Sequence, residues 1–200
     1  MTRVIAGSAR GRRLQVPSGE GTRPTSDRAR EALFSTLESL VGAWAGRRVL
    51  DLYAGSGAVG LEAISRGAAH ALLVEADARA VRTVAANVAT VGLPGAEVRH
   101  GRVERMAAAG VPPPAYDVVF ADPPYDLPDD DLRAVLVDLR AALVDGAVVA
   151  VERSTRGGPW TWPAGFEPVR SRRYGEATLW YGRATSGRPA PETAVEESPA

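Results

Sequence analysis

Residues 122–125 read Asp-Pro-Pro-Tyr and follow the apolar run "VVFA", which is typical of a buried strand. Proline has a fixed φ and no backbone N–H, so this corner is rigid and poor in hydrogen-bond donors. The Asp122 carboxylate and the Pro123 carbonyl can accept the N–H groups of an exocyclic amine, which frees the nitrogen lone pair for attack on a methyl group. Tyr125 offers a ring on which an extruded nucleobase can stack. We therefore predict that Asp122, Pro123, Pro124 and Tyr125 form a catalytic corner for amine methylation.

A glycine-rich segment supplies the second chemical signal. Gly55, Gly57 and Gly60 in "LDLYAGSGAVG" form the pattern G-x-G-x-x-G between a strand and a helix. Glycine allows a tight turn and lets a ligand approach the backbone, and the N-terminus of the following helix favours negative groups. Glu75 ends the next strand about 20 residues further on, where a ribose-hydroxyl acceptor is expected. This half of the chain is therefore predicted to bind an adenosine-type cofactor.

The residue before the glycine turn decides between two cofactor classes. Asp51 would face a pyrophosphate unfavourably, but it can attract the ammonium group of a methionine moiety directly or through water. We therefore predict S-adenosyl-L-methionine as the cofactor, and a Rossmann dehydrogenase with a dinucleotide is the alternative.

Strand-like and helix-like segments alternate between residues 47 and 153, which indicates an α/β fold with a mostly parallel sheet and helices on both faces. Residues 166–175 and 176–183 are predicted to pair as antiparallel strands at the sheet edge. The predicted organisation is a basic β-hairpin extension (1–24), a main domain (25–183) and a disordered tail (184–200). Ligands of open α/β sheets lie beyond the carboxyl ends of the strands, so the catalytic corner should face the cofactor.

Charge and composition exclude some classes of function. The 24 basic residues balance 24 acidic ones, but residues 1–30 hold seven arginines against two acids. This basic end is either solvated or a phosphate-contacting patch. Without cysteine there is no thiol nucleophile, and the isolated His70 and His100 suggest no metal site. Because there is no apolar run of about 18 residues and no signal-peptide pattern, we expect a cytoplasmic protein without a membrane partner.

Several stretches together resemble one family. The segments "RVIAGSARGRRLQVP", "TRPTSDRAREALF", "LDLYAGSGAVGLEAISRG", "FADPPY" and "YGEATLWYGR" are similar to the RsmD family of bacterial 16S ribosomal RNA guanine-N2 methyltransferases, over residues 2–183. The D-P-P-Y tetrad is shared with DNA amino-methyltransferases, whereas the arginine-rich hairpin and "RPTSDR" are more specific to this family.

The resemblance implies a Rossmann-like class I methyltransferase fold with a seven-stranded sheet. It also implies a substrate guanine in 16S ribosomal RNA, on assembled or partly assembled 30S particles, and we expect a monomer. RNA phosphates would contact Arg10, Arg12, Arg13 and Arg28. Pro24 would lie at the mouth of the site with Arg23 and Thr25. The implied cofactor-binding set is Asp51, Tyr53, Gly55, Gly57, Glu75, Ala76, Arg102, Val103, Asp122, Arg23 and Thr25.

One position departs from the family pattern. Arg102 stands where the family usually has Asp or Asn to bind the adenine amino group, and arginine has no acceptor. Three explanations remain open: the backbone of Arg102 and Val103 reads the adenine, Glu104 substitutes, or the cofactor binds weakly. Two alternative functions also remain, a DNA adenine-N6 or cytosine-N4 methyltransferase and a catalytically weak RNA-binding assembly factor.

Overall fold

The computed structural model describes residues 2–17, 27–111 and 115–186. Nine strands and five α-helices follow one another along these residues. In chain order they are β1 (Thr2–Arg3), β2 (Arg13–Leu14), α1 (Asp27–Val41), β3 (Arg48–Leu52), α2 (Ala58–Ser65), β4 (His70–Glu75), α3 (Ala78–Val91), β5 (Ala96–His100), α4 (Val103–Ala108), β6 (Tyr116–Ala121), α5 (Asp129–Leu139), β7 (Leu143–Ser154), β8 (Phe166–Tyr174) and β9 (Ala177–Ala184).

Seven of the strands form one sheet in the order β5-β4-β3-β6-β7-β9-β8. Strands β3 to β7 pair in parallel, and β9 and β8 close one edge with antiparallel pairing. The predicted α/β class, the seven-stranded sheet and the antiparallel pair at its edge are therefore confirmed. The chain runs from β3 towards β5 on one side and from β6 towards β8 on the other, so the strand order reverses between β3 and β6. A ligand crevice is expected at this reversal.

The central strands are apolar on both sides because helices cover both faces of the sheet. On one face, α1, α2 and α3 pack through residues such as Leu33, Leu61 and Val84. On the other face, α4 and α5 pack through residues such as Met106 and Leu136. Because the strands are packed on both faces, the place in the sheet where each strand ends is fixed. The residues that follow each strand are therefore held in fixed positions.

The N-terminal segment is a β-hairpin, as predicted, with β1 and β2 in antiparallel register. It is clasped to α2 by Glu62, which is fully buried and accepts the backbone N–H groups of Ile5 at 2.7 Å and Ala6 at 2.9 Å. The same carboxylate accepts Nε of Arg66 at 2.8 Å. Because Val4 and Leu14 also belong to the main core, the hairpin is an integral wall of the fold.

Some element boundaries differ from the sequence prediction. The short helix α4 lies in a segment to which no helix was assigned, since its six residues offer less than two turns of periodicity. Strand β9 continues through Ala184, one residue into the segment predicted as a disordered tail. Residues 187–200 and the predicted boundary at residues 24 and 25 lie outside the described residues.

Candidate active site

A cleft of about 1210 Å³ opens at the carboxyl ends of β3, β4 and β6. The hairpin contributes Thr2, Val16 and Pro17 to its wall, which the sequence did not predict. Most of the predicted site residues line this cleft: Asp51, Tyr53, Gly55, Glu75, Ala76, Arg102, Val103, Asp122, Pro123, Pro124 and Tyr125. The two predicted groups, the glycine segment and the proline corner, therefore share one cavity.

The three motif glycines have different roles. Gly55 lines the cleft at a φ of 56°, and a Cβ built there would meet only Tyr53 O, at 3.9 Å. This leaves open space above a backbone that a ligand can approach. Gly57 and Gly60 instead face the core, where an added Cβ would lie 2.9 Å from the Leu73 side chain in both cases. Gly57 therefore packs against the core under the glycine segment, and it is not among the residues that line the cleft.

Asp51 is held by the helix that follows the glycine segment. Its Oδ2 accepts the backbone N–H of Gly60 at 2.8 Å, and the residue is only 1% exposed. Burial raises the pKa of Asp51 to about 7, helped by the negative charge of Glu75, although the Gly60 hydrogen bond opposes the shift. Asp51 is therefore a carboxyl group poised to ionise when a cation arrives beside it.

Glu75 ends β4 and is oriented by backbone amides on two sides. Oε2 accepts the N–H of Gly55 at 2.8 Å, and Oε1 accepts the N–H of Asp77 at 2.8 Å. A carboxylate offers about four lone-pair sites, so each oxygen keeps capacity for a hydroxyl donor. This arrangement fits a diol such as ribose between the glycine segment and the end of β4.

Tyr53 is the one non-glycine residue with positive φ, 58°, within the described ranges. Such a conformation is uncommon for a bulky side chain and is often found at functional sites. Its hydroxyl donates to Oε1 of Glu104 at 3.1 Å, and Glu104 also pairs with Nε of Arg102 at 3.4 Å. The Arg102 side chain is 71% exposed at the start of α4, so Glu104, and not Arg102, is the acceptor-bearing side chain at this wall.

The proline corner is fixed to the neighbouring strand β7. The N–H of Leu127 donates to Pro124 O at 3.0 Å and closes the turn. Arg153 on β7 then donates to Leu127 O at 2.7 Å and forms an ion pair with Asp129 at 2.6 Å. Arg153 was missed in the sequence, because the strand register that brings it beside the corner cannot be read from local pattern.

The acceptor atoms of the corner remain available. Among the described residues, no donor forms a hydrogen bond with the Asp122 carboxylate or with the Pro123 carbonyl. Pro123 is buried, whereas Tyr125 is 56% exposed at the cleft wall. The corner thus presents two acceptors and one aromatic ring at the same opening.

Glu152 is a third carboxyl group at this end of the sheet and was also missed. Strand register pairs Ala121 of β6 with Val151 of β7, so Asp122, which directly follows β6, and Glu152 on β7 occupy the next level. Burial raises the pKa of Asp122 well above its usual value, and the charges of Glu152 and Asp51 raise it further, while Arg153 opposes them. Burial likewise raises the pKa of Glu152. Asp122 therefore binds a proton more readily than an exposed aspartate does.

Two of the N-terminal arginines, Arg30 and Arg12, form hydrogen bonds within the fold. Arg30 is 1% exposed, lines the cleft, donates to Thr2 Oγ1 at 2.8 Å and pairs with Asp27 at 3.1 Å. Arg12 donates to the carbonyls of Thr90 at 2.6 Å and Val91 at 2.8 Å, which satisfies the C-terminus of α3.

The other predicted phosphate contacts lie in different situations. Arg10, Arg13 and Arg28 are exposed and form no ion pair with a described residue. Their contact with RNA stays a prediction, as does that of Arg12. Arg23, Pro24 and Thr25 lie outside the described residues.

Comparison with known proteins decides the family. Residues 2–183 match the family model described as Conserved hypothetical protein 95. Ribosomal RNA small subunit methyltransferase D of Escherichia coli K12 is 36% identical over 187 residues, which cover 92% of this chain and 91% of that protein. The chain belongs to the RsmD family. Another protein of the same name, from Haemophilus influenzae, is 38% identical over 125 residues, covering 62% of this chain and 63% of that protein.

Solved structures share the fold of this chain. The hypothetical protein TTHA0928 of Thermus thermophilus is 34% identical with a TM-score of 0.74, covering 90% of this chain and 98% of that chain. An RNA methyltransferase from Salinibacter ruber, solved with S-adenosyl-L-homocysteine, has a TM-score of 0.62 and covers 83% of this chain and 96% of that chain. At 18% identity, this second likeness shows the fold alone.

Proposed function

We propose that this protein methylates the exocyclic N2 amine of a guanine in 16S ribosomal RNA, with S-adenosyl-L-methionine as methyl donor. The observation that carries the proposal is the proline corner, where Asp122 and Pro123 O offer two available acceptors beside the glycine segment in one cleft. The names of the Escherichia coli and Haemophilus influenzae relatives support a ribosomal RNA of the small subunit as substrate.

The residues of the cleft fit the proposed methyl donor. Glu75 would accept the ribose hydroxyls, Gly55 would allow close backbone approach, and Asp51 would attract the ammonium group of the methionine part. The wall formed by Tyr53, Glu104 and the backbone of Arg102 and Val103 would receive the adenine. Bound there, S-adenosyl-L-methionine supplies an electrophilic methyl group on a positively charged sulfur.

The corner residues act on the amine. Asp122 and the Pro123 carbonyl accept its two N–H groups, so the nitrogen can become pyramidal and its lone pair is no longer delocalised into the ring. The nitrogen would then be placed to take the methyl group of the bound donor, whose sulfur would keep the electron pair of the broken carbon–sulfur bond. Positive charge develops on nitrogen, and the Asp122 carboxylate stabilises it. Because its pKa is raised, Asp122 can then take the surplus proton.

The rest of the site positions the base. Tyr125 offers its ring for stacking, since it is exposed at the cleft wall. Arg153 holds the corner against β7, so the two acceptors keep their spacing when RNA binds.

We further propose that the enzyme acts as a cytoplasmic monomer on 30S particles. Within the described residues, no helix has the length and apolar character to cross a membrane, and no group of His, Asp and Glu could hold a metal.

A methyl-transfer experiment tests the proposal. The protein is incubated with radiolabelled S-adenosyl-L-methionine and one of three substrates in parallel reactions. The substrates are 30S particles from a strain lacking the gene, free 16S RNA and double-stranded DNA. Label should enter 16S RNA, and mass spectrometry of the digested nucleosides should find N2-methylguanosine. Label on DNA, or on another base, would refute the proposal. Asp122→Asn should transfer less label, and Asp138→Asn, at an exposed position on α5, is its matched control.

A further inference from the structure

The edge strand β8 carries a row of arginines to which the proposed function assigns no role. Seven consecutive residues of β8, from Glu167 to Arg173, are exposed. Arg170, Arg172 and Arg173 lie among them, with Glu167 as the only acidic residue of the strand. An exposed stretch with this charge is a footprint typical of nucleic-acid binding.

These three arginines lack the ion pairs that many other arginines of the fold form. Arginines elsewhere in the fold form ion pairs, for example Arg47 with Asp117 at 2.7 Å and Arg99 with Glu97 at 3.1 Å. Arg170, Arg172 and Arg173 form no ion pair with a described residue, and Arg173 donates only to a backbone carbonyl, Gly175 O, at 3.2 Å. Their positive charge is therefore not neutralised locally.

The β8 row lies at the same end of the sheet as the catalytic corner. Register pairs Ser154 at the end of β7 with Ala177 of β9, and Ala177 with Tyr174 at the end of β8. Arg172 and Arg173 are thus within two residues of the level at which the cleft opens. Three strand spacings separate β6 from β8, about 14 Å at roughly 4.8 Å each. A single RNA strand can cover that distance within a few nucleotides.

The hairpin and β8 lie on opposite sides of the cleft. The hairpin packs against α2 and α3, over the half of the sheet that contains β3 and β4. Strand β8 is the edge of the other half. Arg10 and Arg13 of the hairpin are exposed and form no ion pair with a described residue, like the β8 arginines. The cleft is therefore flanked by two separate basic surfaces.

We propose that Arg170, Arg172 and Arg173 bind phosphate groups of the RNA strand that flanks the target nucleotide, on the side of the cleft opposite the hairpin. This inference rests on the proposed RNA substrate. The register places Arg170 opposite Tyr181 and Arg172 opposite Leu179, whose side chains pack on the α1 face of the sheet. Arg173 points to the opposite face, so the row contacts RNA from both sides of the strand edge.

A protective role of the edge is the competing explanation. Charged side chains on an edge strand hinder pairing with another sheet, and they need no ligand for that purpose. The two roles differ in what the removal of the charges changes. Loss of phosphate contacts weakens RNA binding and its salt dependence, whereas loss of edge protection increases self-association.

The test compares two triple variants of the full chain. Arg170→Gln/Arg172→Gln/Arg173→Gln removes the β8 row, and Arg79→Gln/Arg82→Gln/Arg105→Gln removes equal charge from exposed positions on α3 and α4. Affinity for unmodified 16S RNA is measured by fluorescence anisotropy at several salt concentrations. Each phosphate contact on a single strand contributes about −0.7 to the slope of log affinity against log salt. The magnitude of this slope should therefore decrease by about two for the β8 variant only.

Kinetics add a second readout. The β8 variant should raise KM for RNA several-fold, while kcat at saturating RNA and the Kd for S-adenosyl-L-methionine stay at the wild-type values. If its slope and KM equal those of the wild type, or if the control variant loses as much, the inference is wrong. Unchanged RNA affinity with new oligomers on size-exclusion chromatography would assign the row to edge protection and also overturn it.

Two further measurements keep the outcome interpretable. Should the triple variant unfold, the single variant Arg172→Gln must lower the salt slope by about 0.7, and no change would contradict the inference. The wild type is assayed for methyl transfer in parallel. A wild type that methylates no RNA would defeat the proposed function itself, whereas an active wild type with an unaffected β8 variant would defeat only the role of β8.

Discussion

Replacing Asp122 with asparagine should reduce catalysis while leaving the fold as stable or more stable. The asparagine side chain keeps the size of the aspartate, but it loses the negative charge and presents an NH2 group to an amine. Pro123 O remains as the second acceptor, so one charged stabiliser is lost. Losses of this kind typically lower the rate by about 10²–10³, or about 2.7–4 kcal/mol.

The expected gain in stability follows from the surroundings of Asp122. Its carboxylate lies beside Glu152 and Asp51, and its pKa in the folded protein is raised by burial and by these two charges. Between the unfolded value of about 3.9 and the higher folded value, the native state therefore binds more protons than the unfolded state. The stability of the wild type therefore falls as pH rises through this range. Asparagine does not ionise, so the variant does not lose stability in this way. The melting temperature at pH 7.5 should stay equal or rise, by about 2–4 °C per kcal/mol relieved.

Three assays test the predicted loss of rate and the predicted gain in stability separately. Single-turnover methyl transfer to unmodified 30S particles gives the rate, calorimetry gives the affinity for S-adenosyl-L-methionine, and thermal unfolding at pH 4.5 and pH 7.5 gives stability. The advantage of the variant should be smaller at pH 4.5 than at pH 7.5, because the raised pKa leaves a larger share of the wild-type carboxyl protonated at the lower pH. A rate within twofold of the wild type, or a melting temperature several degrees lower at pH 7.5, would refute this reasoning. Asp138→Asn serves as the exposed control.

Three further predictions concern the cofactor, the base and the hairpin. Because the pKa of Asp51 is raised to about 7, S-adenosyl-L-methionine should bind more tightly at pH 7 than at pH 5.5, a range in which its ammonium group stays protonated, and calorimetry of Asp51→Asn should find a flat profile there; a persistent slope would exclude Asp51 as its source. Tyr125→Ala should weaken RNA capture by about 1–3 kcal/mol, measured as KM, whereas Tyr125→Phe should not, and equal effects would argue against stacking. Glu62→Ala leaves the Ile5 and Ala6 amides without their acceptor, so denaturant unfolding should show a loss of about 2–6 kcal/mol. A loss below about 1 kcal/mol, no larger than that of the half-exposed Glu97→Ala, would contradict the clasp.

The sequence predicted those parts of the site that are carried by local signals. The glycine segment, Glu75 and the proline corner each follow a strand directly, and the rule that ligands lie beyond strand ends placed them in one cleft. The alternation of strands and helices likewise predicted the parallel sheet. Each of these signals lies within about 20 residues of chain and does not depend on distant contacts.

The missed residues depend on contacts that are far apart in the chain. Arg30 reads as part of a basic surface, but Thr2, 28 residues away, gives it a buried partner. The hydrogen bonds of Arg12 to carbonyls 78 and 79 residues away were likewise not predicted. Glu152 and Arg153 become site residues only through the register of β7 with β6. Such partners are set by tertiary packing and leave no periodic signal.

The clasp at Glu62 limits how the protein can be dissected. A chain cut after the hairpin would keep a fully buried carboxylate without the Ile5 and Ala6 amides, and would uncover the apolar surface on which Leu14 packs. Grafting the hairpin onto another scaffold would require its hydrogen-bond partners too. One of them is the Asn87 side chain, whose Oδ1 accepts the N–H of Gln15 and whose Nδ2 donates to Gln15 O. Laboratory truncation and module exchange should therefore treat the hairpin and helices α2 and α3 as one inseparable unit.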